Sequence, residues 1–198
     1  MNRLVQIRET TAARVTRPFV RLLARTGVSP NVITWFGFFI AIGAALLIAS
    51  GFPIAGGAMV LFGGLFDMLD GALARLTKRV TRFGGILDST IDRLSEVVIL
   101  LGILVFYARE PSIPGILLAG MALPGSLLVS YLRARAEAAS LECKVGLFTR
   151  TERVIVLALG LLLSQLNFAL FIALGIIVFF SFFTVIQRLA HIWRQSRV

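Results

Sequence analysis

The chain has 198 residues, 58% of them hydrophobic, with a mean hydropathy of +0.91 and a net charge of +10. A water-soluble domain of this size is close to half apolar, so the composition excludes an ordinary soluble domain and makes lipid the main solvent. The charge points to anionic partners, and in so apolar a chain acidic lipid and phosphorylated substrates fit better than nucleic acid, which is not expected to bind.

Residues 1–28 mix Leu4, Val5, Ile7, Val15, Phe19, Val20, Leu22 and Leu23 with six arginines. This reads as an amphipathic helix lying in the membrane interface, bent or restarted at Pro18. No secretory signal is expected, because the first long apolar run begins only near Val32, is long enough to span, and has no small-residue cleavage pattern after it. Ser29-Pro30-Asn31 starts that run, with proline where a helix begins.

A membrane helix needs about 20 mostly apolar residues. Six stretches qualify: 32–50, 54–74, 84–108, 114–135, 152–165 and 167–190. The fifth is short and the break at Gln165–Asn167 is weak, so five spans are an open alternative to a tight turn there. Of the 20 basic residues, 18 fall before the first stretch, after the second, between the fourth and fifth, or at the end of the chain; the exceptions are Arg93 and Arg109. By the positive-inside rule both termini are cytoplasmic and the protein is multi-pass in the cell membrane. The expected architecture is one all-α integral membrane domain over 1–198, an interfacial helix at 1–28 followed by a bundle of six transmembrane helices at 29–198. The single cysteine, Cys143, excludes an intramolecular disulfide and reads as a packing residue.

The only aspartates are Asp67, Asp70, Asp88 and Asp92, all within 26 residues and in or beside apolar stretches. Each ionised carboxylate near the bilayer centre costs about 2.5–3.5 kcal/mol, so four together cost on the order of 10 kcal/mol before their mutual repulsion. Something must compensate. Asp67 and Asp70 share one face of the second helix, and Asp88 and Asp92 one face of the third. If the two helices run antiparallel, the carboxylates converge at one depth. Such a set of hard oxygen donors suits Mg²⁺ or Mn²⁺, and with a substrate phosphate two ions can share it. Gly71, Gly84 and Ala74 leave room for a ligand, and Arg75 can pair with phosphate. A single buried aspartate is often only a helix–helix hydrogen bond; four in register are not so easily explained. A proton or cation pathway is the stronger rival.

Written out, the segment runs Asp67-Met-Leu-Asp70-Gly71-Ala-Leu-Ala74-Arg75, then eight residues, then Gly84-Gly-Ile-Leu-Asp88-Ser-Thr-Ile-Asp92. It resembles the signature of the CDP-alcohol phosphotransferases, D-x2-D-G-x2-A-R-x8-G-x3-D-x3-D, at all eight fixed positions. The resemblance implies a six-helix membrane enzyme, commonly a homodimer, that binds CDP in a cytoplasm-facing cavity. The first three aspartates would hold the metal ions with Asp92 beside them. Asp92 would also be the general base, drawing a proton from an alcohol that attacks the lipid-linked phosphorus and expels CMP.

Other segments are similar to one branch of that family, the prokaryotic phosphatidylinositol phosphate synthases. Asn31-Val32-Ile33-Thr34 and Thr81 resemble its CDP-diacylglycerol site. Ser130-Tyr-Leu-Arg133-Ala-Arg135-Ala-Glu137, Arg150-Thr-Glu152-Arg153 and Gln187-Arg188-Leu189 resemble the segments around its inositol-phosphate pocket. From these, Ser130, Arg133, Arg153 and Arg188 are the expected acceptor-phosphate residues. Arg133 stands where that branch usually has Lys, a planar fork for a compact point charge. Arg135 and Glu137 read equally well as an ion pair. His191 reads as structural, and Gly63 and Gly64 as helix-packing positions. The implied reaction moves a phosphatidyl group from CDP-diacylglycerol to inositol 1-phosphate, with glycerol 3-phosphate as the alternative acceptor.

Overall fold

The computed structural model describes residues 20–143, 145–166 and 168–196. All regular structure among them is helical, with no strand. Residues 20–26 are helical and lead into six longer helices. These are α1 Pro30–Ala49, α2 Pro53–Leu76, α3 Arg82–Arg109, α4 Ile113–Ala138, α5 Arg150–Leu162 and α6 Ala169–Gln195. Most of the expected interfacial helix, with its bend at Pro18, lies outside the described residues, as do Lys144, Asn167 and Arg197.

Helix starts are set by proline and by side chains that take up unmade backbone bonds. Pro30 and Pro53 sit in the first turns of α1 and α2, where a missing N–H costs nothing. Thr81 Oγ1 accepts from Gly84 N at 2.9 Å and caps α3. Thr149 and Glu152 form a capping box on α5, Thr149 N donating to Glu152 Oε2 at 2.9 Å. Between α1 and α2 the chain reverses through Gly51, whose φ of 92° favours glycine.

All six apolar stretches fall on helices, but α2, α4 and α6 run past them to Leu76, Ala138 and Gln195. Hydropathy marks where lipid ends; a helix continues until something terminates it. Among the described residues four helices, α1, α2, α4 and α6, are long and apolar enough to cross a membrane. In α3 the charges of Asp88, Asp92, Arg93 and Glu96 interrupt the apolar run. The 13 residues of α5 reach roughly 20 Å, against a hydrocarbon core of about 30 Å.

Neighbouring contacts close a ring in the order α1, α2, α5, α6, α4, α3 and back to α1. Its core draws on all six helices, with Ala41, Ala44 and Ile48 of α1 against Ile99, Leu100 and Ile103 of α3, and Leu157, Ala158 and Leu161 of α5 near Leu174 and Ile177 of α6. Small residues set the spacing. A Cβ on Gly102 would lie 2.6 Å from Ala45 O, and one on Gly57 would lie 2.8 Å from Leu161 Cβ. Gly63 packs on Ile40 as expected, whereas nothing lies within 4 Å of a Cβ on Gly64.

The ring departs from the simplest expectation in one respect: α2 and α3, consecutive and joined by a short basic loop, do not pack closely on each other. α1 lies against both. The aspartates therefore face a gap rather than a helix–helix seam.

Candidate active site

The start of α1, the end of α2 and the starts of α3 and α5 meet at one end of the ring, and the four aspartates, all within electrostatic reach of one another, make two sets of contacts there. Asp70 is buried. Its Oδ2 accepts from Thr34 Oγ1 of α1 at 2.7 Å, and its Oδ1 from Gly71 N at 2.5 Å. Asp70 and Asp88 both line an open cavity of about 310 Å³ between α1, α2 and α3. Seven of the nine residues expected to bind CDP-diacylglycerol line the same cavity: Asn31, Thr34, Gly71, Ala74, Arg75, Thr81 and Gly84. The α3 cap explains part of this. Thr81 folds over the helix start, and a Cβ on Gly84 would meet Thr81 Oγ1 at 2.9 Å and Asn31 Oδ1 at 3.3 Å. Val32 and Ile33 do not reach the cavity. Val32 is exposed on the outer face, and Ile33 is buried against Val20 and Leu73. Arg79, in the basic loop between α2 and α3, also lines it, so two guanidinium-bearing side chains and two carboxylates border one space.

Asp67 and Asp92 share the second set of contacts. They come from α2 and α3 and meet on one cation, the guanidinium of Arg150 at the start of α5. Arg150 Nη2 lies 2.6 Å from Asp67 Oδ2, and Nη1 lies 2.6 Å from Asp92 Oδ1. Arg150 opens the segment Arg150-Thr-Glu152-Arg153, in which the family resemblance points to Arg153. Among the described residues, no three acidic, His or Cys side chains are grouped to hold one ion. The donor chemistry still fits a divalent cation. All four candidate ligands are carboxylates, and two from different helices already converge on one positive group.

The expected acceptor residues do not share a partner. Arg153 is 1% exposed and fully engaged. Its Nε and Nη2 donate to Glu96 Oε1 and Oε2 at 2.6 and 2.8 Å, and its Nη1 to Phe148 O at 3.5 Å. Ser126 Oγ donates to the same Glu96 at 2.8 Å. Arg133 pairs with Glu137 at 2.9 Å on the exposed face of α4, so Glu137 takes Arg133 as an ion-pair partner. Arg188 is buried, donating from Nε to Val145 O at 3.0 Å and from Nη1 to Val129 O, next to Ser130. Gln195 Nε2 donates to His191 Nε2 at 2.7 Å. Glu96 is the acidic residue that sequence reading missed. Its signal was its position four residues after Asp92, on the same face of α3.

A profile of CDP-alcohol phosphatidyltransferases matches residues 27–187. The chain is 41% identical over 186 residues to the archaetidylinositol phosphate synthase of Methanothermobacter thermautotrophicus, covering 92% of this chain and 93% of that protein. Its structure is similar to that of the Mycobacterium tuberculosis phosphatidylinositol phosphate synthase with CDP-DAG bound, with a TM-score of 0.85 and 36% identity over 91% of this chain and 94% of the other. The same synthase in complex with manganese and citrate superposes with a TM-score of 0.83, at 36% identity over 90% and 88%. An aspartate signature complete at every fixed position thus meets a match along most of the chain, and the chain belongs to the CDP-alcohol phosphatidyltransferase family.

Proposed function

We propose that this protein transfers the phosphatidyl group of CDP-diacylglycerol to inositol 1-phosphate, forming phosphatidylinositol phosphate and CMP. The observation that carries this is the cavity that gathers Asn31, Thr34, Gly71, Arg75, Thr81 and Gly84 beside Asp70 and Asp88. It is supported by relatives named as inositol phosphate synthases whose names differ in the lipid and agree in the acceptor.

In this reading the cytidine diphosphate enters between α1, α2 and α3, with Arg75 and Arg79 pairing with its phosphates. Asp67, Asp70, Asp88 and Asp92 would hold Mg²⁺ or Mn²⁺, two ions in all. Bound there, the ions supply neutralisation of the diphosphate and of the charge developing on the leaving group. Thr34 holds Asp70 in place. Asp92 takes the proton from the acceptor hydroxyl. The hydroxyl oxygen bonds to the lipid-linked phosphorus, the anhydride bond breaks, and CMP leaves with its electron pair. Ser130, Arg133 and Arg188 are proposed to meet the acceptor phosphate, while Arg153 would reach it only by leaving Glu96.

The same reading has six spans. α3 turns its charged residues inward, Glu96 being buried. α5 crosses together with the turn that follows it. Both termini and the site face the cytoplasm, in keeping with the basic loops. Homodimerisation rests on the family resemblance.

Purified protein given CDP-diacylglycerol, inositol 1-phosphate and Mg²⁺ or Mn²⁺ is expected to release CMP and to stop when a chelator removes the metal. Release with glycerol 3-phosphate instead would reassign the acceptor. No release with any phosphorylated or free alcohol, from intact metal-loaded protein, would refute the enzyme and return the aspartates to a transport pathway. Thr34→Val keeps the side-chain shape and removes the donor to Asp70. It is expected to raise the metal concentration for half-maximal CMP release by roughly 10- to 100-fold, as loss of a ligand's hydrogen-bond partner does elsewhere. An unchanged metal requirement would separate Asp70 from the ions.

A further inference from the structure

Two arginines, one turn apart on α5, are held in opposite ways. Arg153 is 1% exposed, bidentate on one carboxylate, and has a backbone acceptor besides. Arg150 is about a quarter exposed, and its two terminal nitrogens go to carboxylates on different helices. Its Nε is buried without a hydrogen-bond partner. A guanidinium has donors to spare for a fork-to-fork pair with one carboxylate. Arg150 makes no such pair. It spans two acidic groups that would otherwise repel each other. Arg150 and Asp67 also border a cavity of about 30 Å³, next to Ser95 and Glu96. That space is large enough for a water molecule.

The backbone behind Arg150 is fixed. The Thr149–Glu152 capping box closes the first turn of α5, and Arg153–Glu96 clamps that turn to α3. Arg150 is therefore a partly exposed side chain on a rigid mount.

We infer that Arg150 is an internal counter-cation that holds Asp67 and Asp92 in the metal-free protein and must leave them when a divalent ion binds. The exchange rests on the metal site proposed above. Its consequence is that the protein avoids two uncompensated carboxylates facing each other inside the bundle, so it can stay folded without metal. Arg150 and the ion are competing ligands of one pair of carboxylates, so removing one strengthens the other.

Mn²⁺ binding to detergent-purified protein without substrate, read from the electron paramagnetic resonance signal of free Mn²⁺, tests this. Arg150→Gln is expected to bind Mn²⁺ about 5- to 150-fold more tightly than the unaltered protein, the usual range for coupled binding. Its metal-free melting temperature should fall, with a larger rise on adding Mn²⁺. Arg150→Lys keeps the charge but cannot bridge two carboxylates. It is expected to gain affinity as well. Equal or weaker Mn²⁺ binding by folded Arg150→Gln would overturn the exchange. A gain in Arg150→Gln with none in Arg150→Lys would assign the effect to net charge and overturn the bridge. If Mn²⁺ binds none of these proteins, and Asp67→Asn makes no difference, the metal site falls together with the exchange. If Mn²⁺ binds all three equally and Asp67→Asn abolishes it, only the exchange falls.

Discussion

Asp92→Asn is expected to reduce CMP release by about 10²- to 10⁴-fold, the range associated with a positioned general base, while binding of the nucleotide lipid persists. The separation of the two effects comes from the geometry. Asp70 and Asp88 border the cavity proposed for the nucleotide, and Asp92 does not. Asp92 sits instead with Asp67, against Arg150. Asparagine keeps the size of the side chain and an oxygen that can accept from Arg150, so the fold should survive. What is lost is the ability to take a proton. The check is to measure turnover and CDP-diacylglycerol binding on the same preparation. Wild-type-like turnover would remove Asp92 from the role of base. A loss of lipid binding as large as the loss of turnover would make it a binding residue instead.

The fold was legible because lipid imposes a simple rule, that buried backbone must bond to itself, and apolar length follows from it. All six stretches became helices, and Pro30, Pro53 and Thr81 mark where three of them begin. The grouping of residues around the open cavity was legible for a different reason. Gly71, Ala74, Arg75, Thr81 and Gly84 lie within 14 positions of one another, so helix geometry and one capped turn bring them together. Two contacts that organise the rest were not legible. Arg150 meets Asp67 across 83 residues, and Arg153 meets Glu96 across 57. Both depend on α5 packing beside α2 and on α2 standing off from α3. Consecutive helices are usually neighbours, and spacing along the chain says nothing about which pair breaks that habit. A basic residue at a helix start reads the same from sequence whether it awaits a phosphate or already holds a carboxylate. Arg150 and Arg153 differ only in what surrounds them.

That difference makes Glu96→Gln the substitution with the largest expected effect on stability. Glutamine preserves the shape of the side chain and can still accept from Ser126, but it leaves the Arg153 guanidinium, 1% exposed, without a counter-charge. Breaking a buried pair from one side costs about 3–5 kcal/mol, because the remaining charge is stranded in a medium that solvates it poorly. Arg153→Ala should be costly for the mirror-image reason, leaving Glu96 charged and buried. Replacing both at once, Glu96→Leu with Arg153→Met, removes both charges and should recover most of the loss, since a buried ion pair contributes little net stability over an apolar pair of similar volume. Thermal denaturation of the three variants in one detergent measures this directly. If the double variant is as unstable as the sum of the singles, the pair is not coupled. The same series decides the role of Arg153. An anchor for α5 predicts that Arg153→Ala lowers stability and harms the use of both substrates alike, through the displaced helix start that carries Arg150. A selective rise in KM for the phosphorylated acceptor, at undiminished stability, would instead make Arg153 a direct ligand of the acceptor phosphate.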